Sequence, residues 1–150
     1  MNIKLKSLIL GSLLGIIIFN VAVYSIGFTA AITLSPSIAN WATDNSVVIP
    51  MLFVWDLLIV QLLGIGILAA LATYLLLKII PLTRSYMAAG FVIAETIVSY
   101  AWLFNPVYHQ HLSQNSYILF FPHFIVVCVC VFIAARLAGK AQTIISPLRS

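Results

Sequence analysis

The chain has 150 residues, of which 63% are hydrophobic and 7% charged, with a formal net charge of +4. Soluble domains carry about 25% charged residues, so this composition excludes a water-covered globule, and the length allows one domain. The basic residues are scattered singly, with no basic stripe or aromatic platform, which argues against a nucleic-acid partner.

Four long apolar runs follow one another along the chain. A membrane-crossing helix needs about 20 apolar residues at ~1.5 Å each, and each run meets that length. The first spans about residues 8–32. Lys4 and Lys6 before it resemble the start of a signal peptide. However, the apolar stretch from Leu8 to Leu34 is far longer than a signal core of about 7–15 residues, so it reads as a retained span. Ser35-Pro36-Ser37 is expected to end it. The connection to the second run, roughly Thr33–Val48, contains no Lys or Arg.

The second run spans about residues 51–77, with Pro50 at its start, where a missing N–H costs nothing. A short turn, Lys78–Ser85, holds Pro81 and forces antiparallel packing on the third run, about residues 86–104. That run is the shortest and most polar. Asn105-Pro106 stops it. A second uncharged connection leads to the fourth run, about residues 117–135, with Pro122 in its first turns. Each run must be helical, because an unsatisfied backbone group in hydrocarbon costs several kcal/mol.

All seven Lys and Arg residues lie on the same three alternate segments: Lys4 and Lys6, Lys78 and Arg84, and Arg136, Lys140 and Arg149. Basic loops stay cytoplasmic. The expected architecture is therefore an all-α bundle of four transmembrane helices with both ends in the cytosol. It forms one transmembrane domain over residues 1–150. Trp41, Trp55 and Trp102 then fall at the outer interface, where an aromatic belt is expected, and Tyr74 and Tyr86 serve the inner one. The basic ends are placed to meet anionic lipids at the cytosolic face, worth about 1 kcal/mol each. The compactness and sharp charge asymmetry point to a multi-pass protein of a bacterial inner membrane.

Polar residues inside the spans carry whatever chemistry there is. Glu95 sits near the middle of the third run, where an ionised acid costs about 2.5–3.5 kcal/mol on insertion scales. It must be paired, solvated or protonated there. Asn20 falls near the middle of the first run, Gln61 slightly outward of the middle of the second, and His123 in the outer half of the fourth. If all four face the bundle axis they form one cluster, with Ser99 one turn from Glu95. Asp56 lies near the outer interface. Asp56 and Gln61 are five apart, about 140° around an α-helix, and so are not expected to share one narrow face.

Other features are weaker. His109 and His111 in the second outer connection invite a metal reading, but their spacing forms no ligand motif; a solvated loop is the expectation. Cys128-x-Cys130 is not a thiol redox spacing, and on a helix the two diverge. Gly11 and Gly15 form a Gly-x-x-x-Gly pair, and Gly90 and Ala94 repeat the small-residue spacing that lets helices approach closely in lipid. Asn20 is about 140° from Gly15, so the first helix offers two faces, one for the bundle and one for a second copy or partner. Phosphate loops, nucleophile elbows and paired carboxylates do not occur, and no cofactor is expected.

Two functional readings follow. The first is a non-enzymatic accessory or packing subunit, homo-oligomeric or bound to a larger membrane protein. The second is a small proton- or cation-coupled transporter or channel, acting as a homo-oligomer with Glu95 as its intramembrane site. A membrane enzyme built on an outer-facing histidine site comes last.

Overall fold

The computed structural model describes residues 2–103, 105 and 116–145. Five helices account for nearly all of them. Helix α1 runs Ile3–Ala30, with the Asn2 side chain accepting from the Lys4 amide at its start. Helix α2 is Pro36–Asp44. Helix α3 runs Val48–Ile79 and contains an internal π-helical segment, Asp56–Gly66. Helix α4 is Arg84–Leu103 and α5 is Ser116–Ile145, with Pro122 inside it.

Three stretches are long and apolar enough to cross a membrane: Ile3–Ala30, Val48–Ile79 and Phe121–Gly139. Such helices need no polar face. Leu13, Ile17, Val21, Tyr24 and Phe28 form an exposed apolar stripe along α1, as expected for a surface that meets lipid tails.

The core forms where the helices touch. Ile65 and Ala69 from α3, Met87, Ala88 and Phe91 from α4, and Val127 and Val131 from α5 are completely buried together. Helix α4 lies along α1, and α5 packs on both α3 and α4. The α1–α4 contact is backbone to backbone. A side chain at Gly11 would overlap the Met87 carbonyl, one at Gly15 the Phe91 carbonyl, and one at Gly90 the Leu8 carbonyl. These three glycines are therefore consumed by packing within one chain. Hydrogen bonds pin the same seam: Ser12 Oγ donates to the Gly90 carbonyl at 3.2 Å, and the Thr83 amide donates to Ser7 Oγ at 2.8 Å. Ala94, the other small residue on α4, is only half-buried. Lys4 lies 5.6 Å above the Tyr86 ring and Lys78 lies 5.0 Å above the Tyr74 ring, so cations and tyrosines share one end of the bundle.

Two local features differ from the sequence reading. Residues 36–44, within the uncharged connection between the first two apolar runs, are helical. Ser35 precedes α2 at its N-cap position, without a side-chain capping bond, and Pro36 lies in the first turn, so the Ser-Pro pair opens a helix, which the fixed φ of proline favours, and α1 has already ended at Ala30. Ser46, with φ 55°, makes the turn into α3. The second difference is the π segment. Bonding from i to i+5 is rare and concentrates at functional sites. Thr29 Oγ1 reaches across from α1 to the Val60 carbonyl at 3.1 Å, inside this segment. Gly64 and Gly66 let it sit close to its neighbours: a side chain at Gly64 would meet Ile26 and Thr29, and one at Gly66 would meet Val126 and Cys130.

Candidate functional site

Of Glu95, Asn20, Gln61 and His123, three meet in the interior between the helices. His123 of α5 stands at the centre. Its Nε2 is 2.6 Å from Glu95 Oε1 on α4, and its Nδ1 is 2.9 Å from Gln61 Oε1 on α3. Glu95 is fully buried, and Gln61 and His123 nearly so. One residue from each of three helices thus forms a continuous hydrogen-bonded file.

The proton arrangement follows from the partners. An amide oxygen only accepts, so His123 Nδ1 carries a hydrogen and donates it to Gln61. That leaves a single proton between Nε2 and Oε1. Whether it sits on the imidazole or on the carboxyl, the pair is neutral overall, which is how an acid is accommodated in this interior without a net buried charge. The second carboxyl oxygen, Glu95 Oε2, is buried and has no partner among the described residues. The short contact is strong, and the remaining oxygen is under-satisfied.

Asp56 extends the file. Asp56 lines the same cavity as Gln61 and His123, and both side chains are near enough to act on its carboxyl. This orientation of the Gln61 amide is self-consistent: turned over, its oxygen would face a carboxylate. The order Asp56, Gln61, His123, Glu95 therefore steps across α3, α5 and α4. On a regular α-helix the spacing sets Asp56 and Gln61 on different faces. The π segment begins at Asp56, and i to i+5 bonding places residues five apart nearly one above the other. That correction is what brings the carboxyl to the site.

Asn20 does not join the cluster. It is exposed on α1, and its Nδ2 donates to the Ile16 carbonyl at 2.8 Å. The reason is local: Gly11 and Gly15 fix which face of α1 meets α4, α1 is a regular α-helix, and five residues on from Gly15 is about 140° away.

Beside the file lies a cavity of about 450 Å³, lined by Asp56, Gln61, Ser99 and His123 on one hand and by apolar residues, among them Phe19, Val60 and Trp102, on the other. Phe19 and Trp102 meet edge to face, with centroids 6.4 Å apart. Ser99 Oγ donates to the Thr96 carbonyl at 3.1 Å. A concave, mainly apolar space of this size with a few convergent polar groups has the form of a small-molecule site.

No group of three or more metal-ligating side chains occurs among the described residues; His109 and His111 lie outside them. Cys128 and Cys130 are free thiols, with Cys130 packed towards Gly66. The cavity and the π register were not foreseen from sequence. The five-residue spacing of two polar groups in an apolar run was the one trace of the π register. No protein-family model, curated protein or solved structure matches this chain.

Proposed function

We propose that this chain is a four-span membrane protein with both ends cytosolic, in a bacterial inner membrane, that moves protons through the Glu95–His123 pair as a small proton-coupled transporter. Helix α4 is the fourth span. Its 20 residues reach about 30 Å, and it lies along α1, which is itself long and apolar enough to cross. The basic residues at the turn Lys78–Arg84 and at Lys4 and Lys6 mark the cytosolic end.

One observation carries the reading: a 2.6 Å carboxyl–imidazole contact, fully buried, adjoins a cavity that also holds a second carboxyl. On helix positions, Asp56 lies about 30 Å from Lys78, at the outer end, whereas Glu95 lies about 16 Å from Arg84, near mid-depth. The polar file therefore runs from the outer interface inward. A carboxamide neither gains nor loses a proton, so a proton arriving at Asp56 crosses to the His123 imidazole through water in the cavity that both side chains line, and the imidazole hands it on to Glu95 across their 2.6 Å contact.

Glu95→Gln tests this. The glutamine amide still donates to His123 Nε2, so the fold survives, but the exchangeable proton is gone. In proteoliposomes with trapped pyranine, proton entry driven by an imposed gradient falls to the protein-free rate in this variant while size-exclusion behaviour is unchanged. Flux equal to that of the parent chain refutes the proposal.

A second observation favours an oligomer or a larger partner. Asn20 presents a carboxamide on the outward, apolar face of α1, and interhelical amide bonds in lipid contribute about 0.6 kcal/mol each. Cysteine at position 20, in a chain without Cys128 and Cys130, then cross-links between copies; no cross-link removes the homo-oligomer.

A further inference from the structure

The cavity beside Asp56 has a chemical bias. Among the described residues, the carboxyl, hydroxyl and amide oxygens of its wall are acceptors. The Gln61 oxygen is taken by His123 Nδ1, which leaves the Gln61 nitrogen on the side of the neighbouring Asp56 carboxyl. The Ser99 hydroxyl has already given its hydrogen to the Thr96 carbonyl, so its oxygen offers lone pairs only. Asp56 Oδ2 is buried with no hydrogen-bond partner among the described residues. A buried acceptor of this kind costs the desolvation of the group unless a donor arrives.

The rest of the wall is apolar and aromatic. Phe19 and Trp102 line it, and tryptophan is the best ring for attracting a cation. Gly27 also lines it, and a side chain added there would meet nothing within 4 Å. Among the described residues an anion finds no positive group here except a protonated His123, whose hydrogens are directed at Gln61 and Glu95. A neutral hydrocarbon leaves Asp56 Oδ2 unpaired. What fits is an apolar body that carries an ammonium group.

We propose that this cavity binds a lipophilic amine, with the ammonium on Asp56 Oδ2 and Ser99 Oγ and the apolar body against Phe19 and Trp102. Two sources share this chemistry: a free aromatic or aliphatic amine, and the ethanolamine headgroup of a lipid. As a bound ligand the amine is independent of proton flux. As a transported substrate it rests on the proton-coupled reading above, and binding and flux are measured separately so that the failure of one is distinguishable from that of the other.

The test uses the full chain in nanodiscs of phosphatidylglycerol alone, with radiolabelled 2-phenylethylammonium at equilibrium and no gradient. Saturable binding is expected, displaced by the unlabelled cation and at least about tenfold less effectively by neutral 2-phenylethanol. Asp56→Asn should weaken binding about ten- to hundredfold. Gly27→Leu should abolish it by filling the space, and it keeps the inference testable if the Asp56 variant does not fold. Repeating the titration with phosphatidylethanolamine in the disc assigns the source: a raised apparent Kd supports the lipid headgroup as occupant, and an unchanged one supports a free amine. Equal displacement by the alcohol, full affinity in Asp56→Asn, or no saturable binding overturns the inference.

Discussion

Removing either side of the Glu95–His123 contact should cost much more than removing both would suggest. Glu95→Ala strips His123 Nε2 of its partner and leaves a gap in the core; breaking a buried pair in this way costs about 3–5 kcal/mol. His123→Ala orphans both the Glu95 carboxyl and the Gln61 oxygen, so its cost should lie at the upper end of that range. In the double variant the acid and the ring are both gone, and only the Gln61 amide remains unmatched. Interhelical polar contacts in membranes average about 0.6 kcal/mol and reach about 1.7, whereas hydrogen bonds to charged groups contribute about 1.5–3. This contact is 2.6 Å long, with Glu95 0% and His123 7% exposed, which puts it at the top of the membrane range. The expected coupling is about 2 kcal/mol, read from a double-mutant cycle of reversible unfolding in mixed micelles followed by tryptophan fluorescence. Glu95→Gln keeps a donor towards Nε2 and should cost about 1 kcal/mol. A coupling below about 0.5 kcal/mol would show that the two groups do not depend on each other, and the argument for a shared proton would go with it.

Other outcomes follow from the backbone. Gly15→Leu should destabilise by at least about 3 kcal/mol, because its neighbour is the Phe91 backbone, which cannot move aside as a side chain can; Gly27→Ala, on the same helix but in open space, should stabilise by up to about 1 kcal/mol. The same micelle unfolding assay separates them. Deleting Leu58, an exposed residue of the π segment, turns everything before it by about 100°; Asp56 then leaves the cavity, and amine binding should vanish while Glu95→Gln-sensitive proton flux is reduced rather than lost. For topology, cysteines at Asp44 and at Ser85, in a chain without Cys128 and Cys130, should react with an impermeant maleimide from outside and from inside respectively. Labelling of position 85 from outside would invert every depth assigned above.

Much of the architecture was legible in the order of residues. Long apolar runs punctuated by Pro read as helices, so hydropathy and Pro placement located α1, α3, α4 and α5 to within a few residues at most described ends. Burying an acid is expensive enough that Glu95 stood out in an apolar run, and His123 and Gln61 stood out for the same reason. What hydropathy cannot carry is rotation about a helix axis. Gly15 and Asn20 are five residues apart, as are Asp56 and Gln61. On α1 the hydrogen bonds run i to i+4, and Asn20 faces away from the helices that Gly15 touches. On α3 they run i to i+5, and Asp56 comes into line with Gln61. Only packing chose between those bonding patterns: contacts with Thr29, Ile26 and Val126 hold the π segment against α1 and α5. The composition made apolar helices of these segments, three of them long and apolar enough to cross a membrane. The tertiary structure decided which polar groups would meet inside, because a shift of one residue in hydrogen-bond register changes the facing of a side chain without changing how apolar the segment is.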